Sequence, residues 1–194
     1  MTGVQTCALP IYPQKPEWGK RALPFSRELW IEREDFAETP PKGYFRLFPG
    51  NKVRLRYAFV VECTGYDKAS DTVRCRYDPD TRSGTPGAEK VKVKGNIHWL
   101  SAKHAHRAEV RLYDRLFRVP HPGAGDTDFL KDLNTDSKKV VTPWLEPALA
   151  AAKAEDHFQF ERHGYFIADR KTPSAFNRAV SLRDSWSAPK QGAS

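Results

Sequence analysis

The chain has 194 residues, of which 39% are hydrophobic and 12% aromatic, so it can bury the core of one ordinary domain or of two small ones. No apolar run approaches the length of about 18 residues that a membrane-spanning helix needs, which excludes such a span. Lysine and arginine total 32 against 24 acidic residues, for a net charge of +8. This charge favours an anionic partner such as nucleic acid, and a soluble surface with a cationic bias is the alternative.

The first residues, MTGVQTCALPI, lack the basic and small-residue features of a secretory signal and do not alternate like a strand. They resemble the translation of a sequencing adapter joined to a truncated gene. We therefore expect residues 1–12 to be a non-native, disordered leader outside the fold. Cys7 lies in this leader. Cys63 and Cys75 have no CxxC or zinc-like spacing, which predicts reduced thiols that serve as small core residues.

Three segments between residues 52 and 99 have the alternation of strands and carry cations on their outer face. They are KVRLRYAFVVE at 52–62, TVRCRY at 72–77 and KVKVKGNIHW at 90–99. In the first segment the alternation places Arg54, Arg56 and Ala58 outward. The predicted inward residues of the three segments are Val53, Leu55, Tyr57, Phe59, Val61, Val73, Cys75, Tyr77, Val91, Val93, Ile97 and Trp99.

A further strand is predicted at 106–119, and the Pro/Gly-rich PHPGAGD that follows it indicates a boundary. A second group of short apolar segments then runs to residue 186, with one short helical or turn-like insert at 146–156. Because many short strands must hide their edges, and closed barrels do this best, the pattern predicts an all-β chain with two small antiparallel barrels.

The segment FQFERHGYF at 158–166 combines aromatic residues with an amide, a carboxylate and a guanidinium. Alternation predicts that Phe158 and Phe160 point inward, that Gln159 and Glu161 share the outer face, and that Arg162 ends the strand. Such a set could hydrogen-bond a base edge. The alternative is an ordinary solvated strand face with a contact between Glu161 and Arg162.

The sequence offers no other strong site. His104 and His106 have a strand spacing but lack the acidic or cysteine partners of a zinc site, so we predict no metal. Asp114 and Asp184 lie among arginines, which favours ion pairs over acid chemistry. No Ser/His/Asp order or phosphate-binding glycine loop is present, so the residues predict no catalytic centre.

Five motifs in order, LPFSRELWIEREDF, GNIHWLSAKHA, EVRLYDRLF, FQFERHGYF and FNRAVSLRDSW, resemble the C-terminal anticodon-binding region of bacterial-type glutaminyl-tRNA synthetase (glutamine-tRNA ligase). The resemblance runs from about residue 13 to residue 186. It implies two six-stranded, ribosomal protein L25-like barrels: a proximal one from 13–38 plus 118–186 and a distal one from 39–117, followed by a tail at 187–194.

The same resemblance implies the residues that contact the anticodon. Arg54 and Arg56 match arginines at the first base and nearby phosphates, and Arg46 matches a basic residue near the third base. The group at the central uridine is matched by Gln159, Glu161 and Arg162, and Ser185 stands where the family often has a threonine. The family has a lysine in place of Phe45 and a glutamine in place of Gly43. This departure predicts stacking on Phe45 or Tyr44, the alternative being that Phe45 packs inside and Arg46 touches only phosphate.

The resemblance also implies the partner and the cellular context. We expect a cytoplasmic monomer, without membrane contact, that binds the anticodon stem-loop of tRNA(Gln). We expect no cofactor in this segment and no aminoacylation by it alone, because ATP binds the family's catalytic Rossmann domain, whose motifs do not occur in this sequence. The alternatives are an rRNA-binding barrel of the L25 type, the anticodon domain of a related glutamyl-tRNA synthetase, and a protein-docking domain without RNA affinity.

Overall fold

The computed structural model of the chain describes residues 5–10, 17, 19–125 and 128–182. Within these residues the chain forms short strands joined by turns and by 3-10 helices of three to five residues. No helix in this part of the chain is long and apolar enough to cross a bilayer. The fold divides into a first unit at Met1–Ala105 and a second unit at His106–Ser194.

The first unit contains eight strands among its described residues. They are β1 Gln5–Pro10, β2 Lys20–Phe25, β3 Leu29–Trp30, β4 Lys52–Leu55, β5 Val60–Asp67, β6 Thr72–Asp78, β7 Gly95–Ile97 and β8 Leu100–Ser101. Its 3-10 helices are Arg33–Asp35, Pro79–Thr81 and Ala88–Lys90. The main sheet has the strand order β6-β5-β4-β7, and separate ladders join β1 with β2 and β3 with β8.

A tight turn divides the predicted long strand at 52–62. The Leu55 amide donates to the Phe59 carbonyl at 2.8 Å, and the Ala58 amide donates to the Leu55 carbonyl at 2.8 Å. Tyr57 has φ of 59°, and strands β4 and β5 pair antiparallel on either side of the turn. The prediction of one strand is therefore wrong: Tyr57 is exposed instead of inward, and Ala58 is buried instead of outward.

Two other predicted strands of the first unit also differ from the structure. The cationic segment at 90–99 is a strand only at Gly95–Ile97, because residues 88–90 form a 3-10 helix, and Val91 is exposed. Strand β6 is an edge strand, and its Cys75 is exposed although Cys63, opposite it in register, is buried. Cys75 is therefore not the core residue that alternation predicts.

Strand β1 is paired with β2 at six successive positions, from Gln5 opposite Phe25 to Pro10 opposite Lys20. A ladder of this length fixes the backbone through its hydrogen bonds. The expectation that residues 1–12 take no part in the fold is therefore wrong for Gln5–Pro10. On β2, Leu23 is buried in the core of the first unit together with Val53, Phe59 and Trp99.

The second unit contains seven strands among its described residues. They are β9 His106–Arg107, β10 Glu109–Tyr113, β11 Lys138–Val141, β12 Trp144–Leu145, β13 His157–Phe160, β14 Gly164–Ala168 and β15 Ala175–Val180. Its 3-10 helices are Phe129–Asp132 and Pro147–Ala151. The main sheet has the order β11-β10-β15-β14-β13, and its core includes Val110, Phe166 and Phe176, with Phe158 and Phe160 packed against them.

The mostly-β character of the chain agrees with the sequence, but the expectation of two closed six-stranded antiparallel barrels is not confirmed. In the described residues the sheets are open, and each of the two larger sheets contains one parallel pair, β4 with β7 and β10 with β15. The two units divide between residues 105 and 106, and the expected barrel boundaries stay a prediction. Phe36 packs in the core of the first unit, and Val110 packs in the core of the second.

A close approach of two backbone segments explains the glycine at position 95. A Cβ atom added there would lie 2.1 Å from the Phe45 carbonyl oxygen and 2.6 Å from Val53 Cγ1. We expect Gly95→Ala to lower the free energy of unfolding by about 1–3 kcal/mol, because the sheet must open to admit a methyl group. Chemical denaturation measures this. Gly65→Ala is the control, since nothing lies within 4 Å of its added Cβ, and equal effects of the two substitutions would contradict the packing argument.

A polar network ties β10 to the turn before β15. The Asn177 side chain donates to Asp169 Oδ2 at 2.7 Å, the Thr172 and Lys171 amides donate to Asp169 Oδ1 at 2.7 and 3.0 Å, and Arg111 is ion-paired to Asp169 at 3.0 Å. The donors on Asn177, Thr172 and Lys171, the Asn177 amide first, hold the pKa of Asp169 well below its ordinary value of 3.8. The network thus favours the charged carboxylate in the folded chain.

The lowered pKa of Asp169 predicts an acid-sensitive contribution to stability. A group whose pKa is lowered in the folded state stabilises the fold when the pH is above its unfolded-state pKa. This stabilisation is lost as the pH falls through its folded-state pKa. We expect Asp169→Asn to be less stable than the parent at neutral pH, and the difference to shrink as pH falls below 3.8. Urea titrations across this range measure it. A difference that stays constant with pH would show that the charge of Asp169 is not the cause.

Candidate nucleic-acid interface

Arg54 lies on β4, and its guanidinium is bonded to the segment that follows β6. Nη1 donates to the Thr81 carbonyl at 2.8 Å and to Ser83 Oγ at 3.3 Å, while Nη2 donates to the Ala88 carbonyl at 3.0 Å and to the Val91 carbonyl at 3.3 Å. These four contacts hold residues 81–91 against the sheet. Arg54 therefore has a structural role, and its contact with the first anticodon base stays a prediction.

Arg56 lies in the turn between β4 and β5, beyond the end of the strand that carries Arg54. Its amide donates to the Ile97 carbonyl at 2.9 Å, and the Trp99 indole donates to its carbonyl at 2.9 Å. The guanidinium carbon lies 5.0 Å from the centroid of the exposed Tyr57 ring, which is cation–π geometry. The turn thus presents a charged group and an aromatic ring together.

Arg46 is anchored by an internal acid. Its Nη1 lies 2.5 Å from Oδ1 of Asp35, whose side chain is completely buried, while the Arg46 side chain stays partly exposed. The neighbouring Phe45 is 54% exposed and the Tyr44 hydroxyl donates to the Glu34 carbonyl at 3.0 Å. Phe45 therefore does not pack inside, which removes the alternative in which its ring is part of the core.

Gln159 is exposed on the edge strand β13, between Phe158 and Phe160, which pack against the core as the alternation predicts. Directly opposite Gln159 in the register is Tyr165 of β14, which is 49% exposed. An amide that both donates and accepts thus lies beside an exposed ring on one sheet face. Sequence reasoning missed Tyr165, although the glycine at 164 is the signal of a hairpin that would have paired it with Gln159.

Glu161 and Arg162 lie in the turn between β13 and β14, not on the strand face. The His163 amide donates to the Phe160 carbonyl at 2.9 Å, and Arg162 adopts φ of 67°. The prediction that Glu161 shares the outer face with Gln159 is therefore wrong, because the strand ends at Phe160. Glu161 is half-buried and Arg162 is exposed. Ser185 lies outside the described residues.

Another cationic and aromatic pair lies in the second unit, at positions that the sequence did not single out. Arg107 on β9 is opposite Trp144 on β12, and its guanidinium carbon lies 5.2 Å from the Trp144 ring centroid. In the first unit Lys94 Nζ lies 5.2 Å from the Phe45 ring centroid. Exposed rings beside cations suit nucleic acid, since bases stack on rings and phosphates attract cations.

Two family models match the chain, and they cover most of it. Both are described as the anticodon-binding domain of class I (E and Q) tRNA synthetases, and they match residues 2–78 and 96–169. The chain belongs to this family. The two matched ranges lie on either side of a gap at residues 79–95, which contains the whole segment held by Arg54.

Several curated relatives of this region are named glutamine–tRNA ligase. The chain is 65% identical over 190 residues to the glutamine–tRNA ligase of Cupriavidus taiwanensis, 64% identical to that of Ralstonia nicotianae and 57% identical to that of Bordetella avium. Each match covers 94% or 95% of the chain but only 32% or 33% of the relative. The chain thus spans about a third of the length of these relatives.

The bonds of Arg54 predict a stability effect that is independent of RNA. We expect Arg54→Met to lower the free energy of unfolding of the anticodon-binding region by about 1–3 kcal/mol, because carbonyls of residues 81–91 lose their donors. Urea denaturation measures the loss, and limited proteolysis should show earlier cleavage at 81–91. The control is Arg74→Met on the exposed edge strand β6. A loss no larger than that of the control would contradict the structural role.

Proposed function

We propose that the chain recognises the anticodon loop of tRNA(Gln). The observation that carries the proposal is the 65% identity with a glutamine–tRNA ligase along a region matched by two anticodon-binding family models. The family models include both glutamate and glutamine enzymes, and the names of the relatives favour glutamine.

The exposed polar set on the second unit supports direct readout of a base. Bases in a single-stranded loop can unstack and present their Watson–Crick edges. We propose that the Gln159 amide hydrogen-bonds the edge of the central uridine while Tyr165 provides a stacking surface beside it. The turn residues Glu161 and Arg162 add an acceptor and a forked donor. Each such base contact contributes about 1–3 kcal/mol of discrimination.

The cations support a second, sequence-neutral contribution to affinity. The net charge of +8, the half-buried Arg56 and the exposed Lys92 and Lys94 attract phosphates whatever the base sequence. Binding through these groups weakens as salt rises, because counterions released from the RNA no longer favour the complex. We propose that this attraction brings the loop to the surface before the polar residues select it.

The wider role of the protein follows from its relatives. We propose that the chain works with the catalytic part of a glutamine–tRNA ligase, which binds ATP and attaches glutamine to the tRNA. We also propose a cytoplasmic monomer. The free thiols of Cys63 and Cys75 suit a reducing compartment.

Binding of stem-loop RNAs tests the proposed readout. We expect Gln159→Ala to raise Kd about tenfold for a glutamine-type anticodon loop with a central uridine, and to change Kd little when cytidine replaces the uridine. His157→Ala, two positions away on the same exposed strand, is the matched control. Fluorescence anisotropy at several salt concentrations measures both series.

Three outcomes of this experiment count against the proposal. Equal losses for uridine and cytidine loops would contradict base readout by Gln159. Tighter binding of a 5S rRNA fragment than of the anticodon stem-loop would favour an rRNA-binding protein. Absence of RNA binding even at low salt would favour a protein-docking domain.

A further inference from the structure

Two cysteines of the first unit lie directly opposite each other on neighbouring strands. Cys63 lies on the central strand β5 and Cys75 on the edge strand β6, and the antiparallel register pairs their Cα atoms. Residues in such a pair direct their side chains to the same face of the sheet. Their spacing in the sequence does not indicate this pairing, because the register depends on the turn that joins the two strands and on the irregularity between Cys63 and Gly65.

The backbone hydrogen bonds of Cys63 show which kind of pair it forms with Cys75. The Cys63 amide donates to the Asn51 carbonyl at 3.0 Å, and the Cys63 carbonyl accepts from the Gly50 amide at 3.0 Å. Both groups therefore point away from β6, which makes Cys63 and Cys75 a non-hydrogen-bonded pair. In such pairs the Cα atoms lie about 4.5 Å apart, within the range of about 4.4–6.8 Å that disulfides span. A cross-link at this position breaks no hydrogen bond of the ladder.

The surroundings of the two thiols keep both of them protonated. Burial of the sulfur and the neighbouring Cys63 raise the pKa of the Cys75 thiol to about 12, although the residue as a whole is exposed at the sheet edge. Burial also raises the pKa of Cys63, whose thiol donates weakly to the Gly65 carbonyl at 3.7 Å. Because the thiolate is the reactive form, both thiols react slowly with oxidants at neutral pH. In a reducing compartment the pair therefore stays as two thiols.

We propose that Cys63 and Cys75 form a disulfide between β5 and β6 when the chain meets hydrogen peroxide, and that this cross-link stabilises the first unit. Cys75 reacts first, because it is exposed whereas Cys63 is buried. Its sulfur attacks one peroxide oxygen, the O–O bond breaks, a sulfenic acid forms, and one water leaves with the thiol proton. The Cys63 sulfur then attacks the Cys75 sulfur, and the S–O bond breaks to release a second water that carries the Cys63 proton. Two thiols and one hydrogen peroxide thus give one disulfide and two waters.

The cross-link would act on an edge strand. Strand β6 lies at one edge of the main sheet and pairs with β5, and the segment that follows it contains the carbonyls bonded by Arg54. A disulfide restricts the separation of the two strands in the unfolded chain and so favours the folded state. The oxidised chain should therefore resist urea better than the reduced chain.

Peptide mapping by mass spectrometry of the peroxide-treated chain tests the pairing. The chain has three cysteines, Cys7, Cys63 and Cys75, so the folded register should select one of several linkages. We expect the folded chain to give the Cys63–Cys75 linkage as its main disulfide, within a monomer and reversible by dithiothreitol. The same chain oxidised in urea should also give linkages to Cys7. The proposal is overturned if Cys7 linkages are as abundant in the folded chain as in urea, or if the folded chain gives only sulfinic and sulfonic acids.

Urea denaturation of oxidised and reduced samples tests the effect on stability. Cys7→Ser keeps the pair, Cys75→Ser removes its exposed member, and the unsubstituted chain is measured beside them. We expect peroxide to raise the urea midpoint of Cys7→Ser and of the unsubstituted chain by about 1–2 M, and to leave that of Cys75→Ser unchanged. Absence of a shift in the unsubstituted chain would overturn the proposed stabilisation. An equal shift in Cys75→Ser would also overturn it, since oxidation elsewhere would then be the cause.

Discussion

Much of the candidate interface is positioned by two turns in which a residue other than glycine reverses the backbone. Tyr57 and Arg162 both adopt left-handed φ values, 59° and 67°, at the turns that end β4 and β13. Such conformations cost about 1 kcal/mol or more for side-chain-bearing residues, so surrounding bonds must hold them. The Trp99 indole on the Arg56 carbonyl and the His163 amide on the Phe160 carbonyl provide that support. As a result, the half-buried Arg56 and the exposed Arg162 lie in turns at the ends of hairpins.

The cations of the chain divide into two groups that net charge alone does not distinguish. Arg54, Arg46 and Arg111 have acceptors within the fold, and each holds a segment in place: residues 81–91, the buried Asp35, and the turn at Asp169. Their charge is largely committed to these internal partners. Exposed groups such as Lys92 and Lys94 stay available for phosphate. The positive charge therefore supports folding as well as the proposed attraction of RNA, and we expect substitutions in the first group to affect stability first.

Local alternation predicted those parts of the fold that depend on neighbouring residues. It correctly placed Phe158 and Phe160 against the core and Gln159 outward, because a strand reverses side-chain direction at each residue. It failed at Tyr57 and at Glu161, because neither of the turns that contain them has a glycine, proline or asparagine at its centre. The turn at Tyr57 is held by a long-range contact, the bond from the Trp99 indole, which lies more than forty positions along the chain from its acceptor on Arg56.

The pairing of strands within the sheets was harder to predict from the sequence, because it too depends on contacts between residues far apart in the chain. The parallel pairs of β4 with β7 and of β10 with β15 join strands far apart in the chain, and periodicity carries no information about which strands become neighbours. Alternation also cannot tell an edge strand from a central one, so it assigned Cys75 to the core. The family resemblance supplied the candidate residues, but only the structure distinguished Arg54, whose guanidinium is bonded internally, from the exposed Arg162.

The energetics of binding an RNA loop explain why stacking contacts that tolerate any base would be used together with hydrogen bonds that select one base. Unstacking a base costs about a few kcal/mol, and stacking it on a protein ring returns about 1–3 kcal/mol. One exposed ring therefore offsets most of the cost of one extruded base, whatever its identity. Hydrogen bonds from an amide such as Gln159 contribute a similar amount for the correct base only. When rings and cations offset the free energy of unstacking, a correct and an incorrect base differ in binding free energy mainly through their hydrogen bonds to the protein. That difference then appears almost entirely as selectivity.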